Sequence, residues 1–216
     1  MRPEARKAQI IEAAIRCFAS RGYHSTQISD IIAKAGVARG TFYLYFKSKH
    51  EIFQFILDDF TKRIDAQIRV IELGAKESPA AQMRGNVERV IDVIFARPEI
   101  GRIIFNEAVG LDKIIDKRLQ AFYKRIINMI ASSIRRGIAL GIVRDVDPSV
   151  AASIIMGAFR EVIVQSAIFG NLKTDRKIIA DNLIDVLIGG MGDKILAFGI
   201  KTVSIPSGAS QWMRGS

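Results

Sequence analysis

Between Thr26 and Lys49 the chain gathers side chains suited to a polyanion. Arg39 and Tyr43 stand one helical turn apart, as do Thr41 and Tyr45, while Phe42 and Phe46 repeat at i, i+4 and can pack inward. On a short helix this spacing makes one apolar edge and leaves guanidinium, hydroxyl and phenol groups on the other faces. Such a helix suits insertion in the major groove of a duplex. Lys49 falls in the first turn of the following helix, where free N–H groups and the helix dipole favour an anion. A cation there makes sense beside a phosphate, and Thr26 offers a second phosphate contact.

Elements must hold these groups in place, and the pattern is helical throughout. Apolar residues recur at i, i+3, i+4 and i+7, and strand-type alternation is nowhere sustained. Ile11, Ala14, Ile15 and Phe18 predict a first helix over 4–21, ended by Gly22. Ile28, Ile31, Ile32 and Ala35 predict a short second helix, and 39–46 a third. The tight Ala35-Gly36-Val37 turn between them makes a helix-turn-helix, with Gly36 supplying the backbone freedom. Ser48 and Glu51 form a capping-box pattern that opens a fourth helix, whose stripe Phe53, Leu57, Phe60, Ile64, Ile68 and Ile71 runs on to Gly74. Further helices are predicted from Ser78-Pro79 to Ala96, from Pro98 to Gly110, from Lys113 to Leu140, from Asp147-Pro148 to Gly170, and from a Thr174 cap to Ala197. The expectation is an all-α chain of about nine helices. It comprises a DNA-binding head over 1–47, a helical body over 48–200 and a Ser/Gly-rich tail over 201–216. The last four residues of that tail, Met213-Arg214-Gly215-Ser216, read as vector-derived.

Composition narrows the chemistry. The 216 residues include one cysteine and two histidines, so an intrachain disulfide is impossible and a thiolate–imidazole metal site is not expected. No Ser/His/Asp arrangement or phosphate loop stands out. The expectation is a protein that is not an enzyme and needs no cofactor. The net charge is +10, and the first fifty residues hold nine Lys/Arg against three Asp/Glu. A basic block on a folded segment points to nucleic acid or an anionic membrane surface. No apolar run approaches the ~18–20 residues of a membrane span, and the charged start is unlike a signal peptide. A cytoplasmic protein with no membrane partner is therefore expected. A helical membrane-surface or lipid-binding protein is the competing reading.

The string from Ala35 to Lys49, with Gly22-Tyr23, Thr26 and Ile31, resembles the N-terminal domain of TetR-family transcriptional regulators. The resemblance covers roughly residues 6–53. It implies a DNA-binding repressor, with Arg39, Gly40, Thr41 and Tyr43 facing base edges or the adjoining backbone, and with Thr26, Tyr45 and Lys49 on phosphates. Ser29 stands where the family often has arginine, which shortens the reach of the second helix. The helices beyond the head agree in number and length with the family's ligand-binding and dimerisation domain. Helices eight and nine are richly apolar, as pairing with a second copy requires, and the resemblance implies the same homodimer on a near-palindromic operator. The middle helices should enclose a cavity for a small hydrophobic effector. Its candidate lining is Phe95, Ile104, Phe105, Phe122, Tyr123, Ile126, Met129 and Phe159, with Arg160 as a partner for an acidic group.

Overall fold

Pro3 and Gly22 bracket the first helix. Proline is harmless in a first turn, where its missing N–H has no helical partner, and Gly22 leaves helical geometry at φ 80° to end α1 (Pro3–Arg21). A computed structural model describes residues 2–72, 74–107, 110–172 and 175–191. Gly36 takes the left-handed conformation, φ 62°, and turns α2 (Ile28–Ala35) into α3 (Arg39–Tyr45). The Gln9 side chain of α1 donates to the carbonyl of Ala35 at 2.7 Å and satisfies the end of α2.

The fourth helix is shorter than its apolar stripe suggests. α4 (Lys49–Gln67) stops seven residues before Gly74, and residues 68–72 run on outside it. The cause lies on α5 (Pro79–Ala96). Asn86 accepts from the N–H of Arg69 and donates to its carbonyl, Gln82 does the same for Glu72, and Arg89 donates to the carbonyl of Gln67. These side chains give the backbone of 67–72 the partners that a longer helix would have given it. At the other end, Ser48 accepts from the N–H of Glu51 as the capping box requires, but the Glu51 carboxylate reaches one residue further back, to the N–H of Lys47 at 2.7 Å.

The remaining helices are α6 (Pro98–Glu107), α7 (Lys113–Ala139), α8 (Pro148–Ile163), which continues through a π-helical turn (Val164–Ile168), and α9 (Arg176–Met191). Thr174 lies outside the described residues, and Asp175 accepts from the N–H of Lys177 at the start of α9. The expected stretch to Ala197 and the 201–216 tail also lie outside them. Ile10, Phe18, Ile31 and Phe42 of the head belong to one apolar cluster with Phe53, Ile91, Ile103 and Ile115 of the body. The head is therefore welded to the body, and no break in the core marks residue 48. Asp58 pairs with Arg118, and Asp65 with Arg125. These partners advance together along both chains, so α4 and α7 run in the same direction.

One composition reading needs correction. Pro148–Ile168 is a 21-residue helical stretch with mean hydropathy 1.4, long and apolar enough by those measures to cross a membrane. A search for unbroken apolar runs passes over it because Arg160 and Glu161 interrupt the sequence. Only 22% of its apolar window is buried within the monomer. Val150 and Ile154 stand exposed on it.

Candidate DNA interface and effector cavity

The outer face of α3 is built by subtraction. Phe42 and Phe46 are buried, as their spacing predicts, and Tyr45 packs half-buried against the same core. That leaves Arg39, Gly40 and Tyr43 exposed and Thr41 half-buried. The Arg39 guanidinium sits 5.8 Å from the centre of the Tyr43 ring, so charge and phenol are presented as one unit. Both border a cleft of about 750 Å³ between α2, α3 and the start of α4. Thr26, Ser29 and Lys49 line it too, whereas Gly40, Thr41 and Tyr45 lie outside its lining. The cleft also contains His24, Gln27 and His50, which no spacing rule singled out. Leu44 is a further omission. It is 82% exposed on the reading helix, and its place off the Phe42/Phe46 edge was the available signal.

Thr26 and Lys49 both make hydrogen bonds within the head. Thr26 is fully buried, and its hydroxyl donates to the carbonyl of Gly22 at 2.7 Å. The Lys49 ammonium donates to the carbonyls of Tyr23, His24 and Thr26 at 2.8, 3.0 and 2.8 Å, and lies 4.6 Å from the centre of the Tyr23 ring. Its three N–H groups are thus spent on the turn between α1 and α2 rather than held out to a phosphate. Burial pushes the Tyr23 phenol above its ordinary pKa, and the nearby Asp112 carboxylate adds to this.

The second site is a cavity of about 540 Å³ inside the body. Seven expected residues line it: Ile104, Phe105, Phe122, Tyr123, Ile126, Met129 and Phe159. Phe95 does not, because its ring is covered by the Arg176 guanidinium at 5.1 Å, against α9. Arg160 does not either. It is exposed, its guanidinium sits 5.9 Å from the Phe105 ring centre, and it hydrogen-bonds Tyr123 from outside the lining. Burial raises the Tyr123 pKa, and Arg160 opposes that rise. Phe60, Thr61 and Ile64 of α4 form part of the wall, as do residues 68–71. Sequence reasoning missed this last segment because it assigned residues 68–71 to α4.

A helix-turn-helix with a polar, cationic outer face, joined to a hollow helical body, defines a ligand-responsive DNA-binding protein. Residues 10–56 match the family described as bacterial regulatory proteins, tetR family, and residues 76–164 match the tetracyclin repressor-like C-terminal domain. The HTH-type transcriptional regulator TtgR of Pseudomonas putida is 34% identical over 61% of this chain and 67% of its own. A fatty acid metabolism regulator protein of Bacillus subtilis is 26% identical over 86% of this chain and 95% of its own. The fold is shared with a solved transcriptional regulator, FadR of Bacillus subtilis in complex with stearoyl-CoA, at TM-score 0.69 and 24% identity over 85% of this chain and 98% of that one. The chain belongs to the TetR family of helix-turn-helix transcriptional regulators.

Proposed function

We propose that this protein is a homodimeric repressor that reads a near-palindromic operator through α3 and releases it when a hydrophobic small molecule fills the cavity. One observation carries the reading. α4 starts with Lys49 and His50 in the reading cleft and ends with Phe60, Thr61 and Ile64 in the cavity wall. A ligand that prefers one pose of α4 therefore acts on the orientation of the head.

In this reading Arg39 and Tyr43 face base edges, with Ser29 beside them on α2. Gly40 lets the backbone come close, and the hydroxyls of Thr41 and Tyr45 serve phosphates. Leu44 suits a thymine methyl. Thr26 and Lys49 contribute by fixing the turn that carries α2. The exposed apolar side chains Val150, Ile154, Phe169, Ile178 and Val186 lie on α8, its end and α9, and support pairing of those helices with a second copy. The names of the relatives favour a fatty-acyl effector, and an apolar cavity of this size suits one.

Selection of random duplexes by the purified dimer should enrich a sequence with two-fold symmetry, and a fatty-acyl compound should then weaken binding by roughly 5–150-fold. Failure to enrich any sequence would remove the DNA-reading role.

A further inference from the structure

The cavity is not uniformly apolar, and the charged groups in its described lining collect at one end. α4 and α7 both start beside the head and run away from it, so their last turns mark the far end of the cavity. Arg69 follows the last turn of α4 and Arg136 lies in the last turn of α7. Both line the cavity, with Asn86, Ser132 and Ser133 also in its wall. The end toward α6 is lined by Ile104, Phe105, Leu119 and Phe122. Among the described residues the lining holds two charged side chains, both arginines, and no carboxylate.

Other uses of these two arginines are weak. A cation in the last turn of α7 suits the helix dipole, which accounts in part for Arg136 but not for Arg69. Among the described residues neither guanidinium has a carboxylate partner, although ten other Arg–carboxylate contacts occur. Arg136 donates to the hydroxyl of Ser133 at 3.3 Å, a neutral partner. Arg69 is held through its backbone by Asn86, which fixes its Cα beside the cavity.

We infer that the effector is a single-chain amphiphile with an anionic head. The chain lies toward α6, and the head is gripped by Arg69 and Arg136 at the far end. This rests on the effector reading above and adds the charge and orientation of the ligand. A carboxylate or a phosphate would satisfy it, so a free fatty acid and an acyl thioester of a phosphorylated carrier share the required chemistry.

Displacement of the neutral dye Nile red from the full chain tests it, using dodecanoate, methyl dodecanoate, dodecanol and dodecanoyl-CoA. Wild type should bind the two anions at least about tenfold more tightly than the ester and alcohol of the same chain length. In the Arg69→Gln, Arg136→Gln double variant that preference should fall to about twofold or less with ester affinity unchanged, and the Arg→Lys double variant should restore it. If only the thioester is preferred, the head is a phosphate; if dodecanoate alone suffices, it is a carboxylate. Equal affinity for the ester and both anions in wild type, or an undiminished preference in the Gln variant, would overturn the inference. Operator release is scored separately. Release by neutral ligands without charge preference defeats the inference and leaves the repressor reading standing. Charge-selective binding without release does the reverse.

Discussion

His50, in the first turn of α4, directs Nδ1 at the Asp112 carboxylate 3.0 Å away, and Asp112 caps α7 by accepting from the N–H groups of Ile114 and Ile115. The other ring nitrogen lies 2.8 Å from the Gln54 amide nitrogen. One carboxylate thus joins the start of α4, in the reading cleft, to the start of α7, which walls the cavity.

This carboxylate makes stability depend on acid. The N–H of Ile115 is the main cause holding the Asp112 pKa below its ordinary 3.8; desolvation opposes it, and the N–H of Ile114 and the His50 ring add smaller downward effects. A depressed folded pKa contributes stability above the unfolded value, which is lost as pH falls through the folded one. Asp112→Ala should therefore lower the urea midpoint by a constant amount from about pH 7 to pH 5, and the gap from wild type should close below about pH 4. A gap independent of pH would mean that the carboxylate's charge does not contribute.

Lys49→Ala should act on folding before it acts on DNA. Three backbone carbonyls lose a charged donor, so the head should lose about 1–3 kcal/mol, and amide exchange around residues 22–27 should accelerate. The slope of operator affinity against salt should change by well under the one unit that a lost phosphate contact produces. A drop of a full unit in a mutant with wild-type stability would return Lys49 to the interface.

Local periodicity and long-range partners differ in how far a sequence shows them. Periodicity and caps placed α2, α5 and α7 within a residue or two, and the Phe42/Phe46 edge was legible because burial follows the helical period. The partners of Lys49 were not legible because they are carbonyls more than twenty residues away, and backbone acceptors have no sequence signature. The early end of α4 was hidden for a like reason. Ile68 and Ile71 continue the apolar stripe, and only the amides of Gln82 and Asn86, on another helix, turn that segment away. Phe95 and Arg160 had the right composition for a cavity, but which face of a buried helix meets a void depends on how its neighbours pack.

Two glycines should respond in opposite directions. A methyl at Gly137 would stand 2.6 Å from Val143 Cγ2, where the turn after α7 folds back, so Gly137→Ala should cost about 1–3 kcal/mol in urea unfolding. At Gly40 nothing lies within 4 Å, and the residue is in α3, so Gly40→Ala should stabilise the head by about 0.5–1 kcal/mol. If the Gly40 methyl also weakens operator binding, the backbone of α3 approaches the duplex at that point. Unchanged affinity would place Gly40 away from it.

The exposed apolar faces of α8 and α9 call for a test of assembly. Ile154 and Val186 are 63% and 72% exposed in the monomer, so lysine at either should leave the monomer fold intact. In a dimer it would bury an unpaired charge. Ile154→Lys and Val186→Lys should each sediment as monomers with wild-type helix content and lose operator binding. Dimers that survive both substitutions would move the interface elsewhere.

The ion pairs between α4 and α7 separate stability from signalling. Asp65 and Arg125 are 33% and 58% exposed, and such a pair contributes only about 0.2–1 kcal/mol. Yet Asp65 lies between Ile64 and Ile68, two residues of the cavity wall, so the pair fixes how α4 stands against α7 across the ligand. If that stance is the one that fits the operator, Asp65→Asn should hardly change the melting temperature. It should weaken operator binding and tighten dodecanoate binding, each by no more than about fivefold, the equivalent of about 1 kcal/mol. High salt should move wild type the same way, since it screens the same pair, though its direct effect on the duplex must be subtracted with the mutant as reference. Opposite shifts of the two affinities are the mark of a population shift between poses of α4. Two affinities falling together would mean that the pair only holds the body in shape.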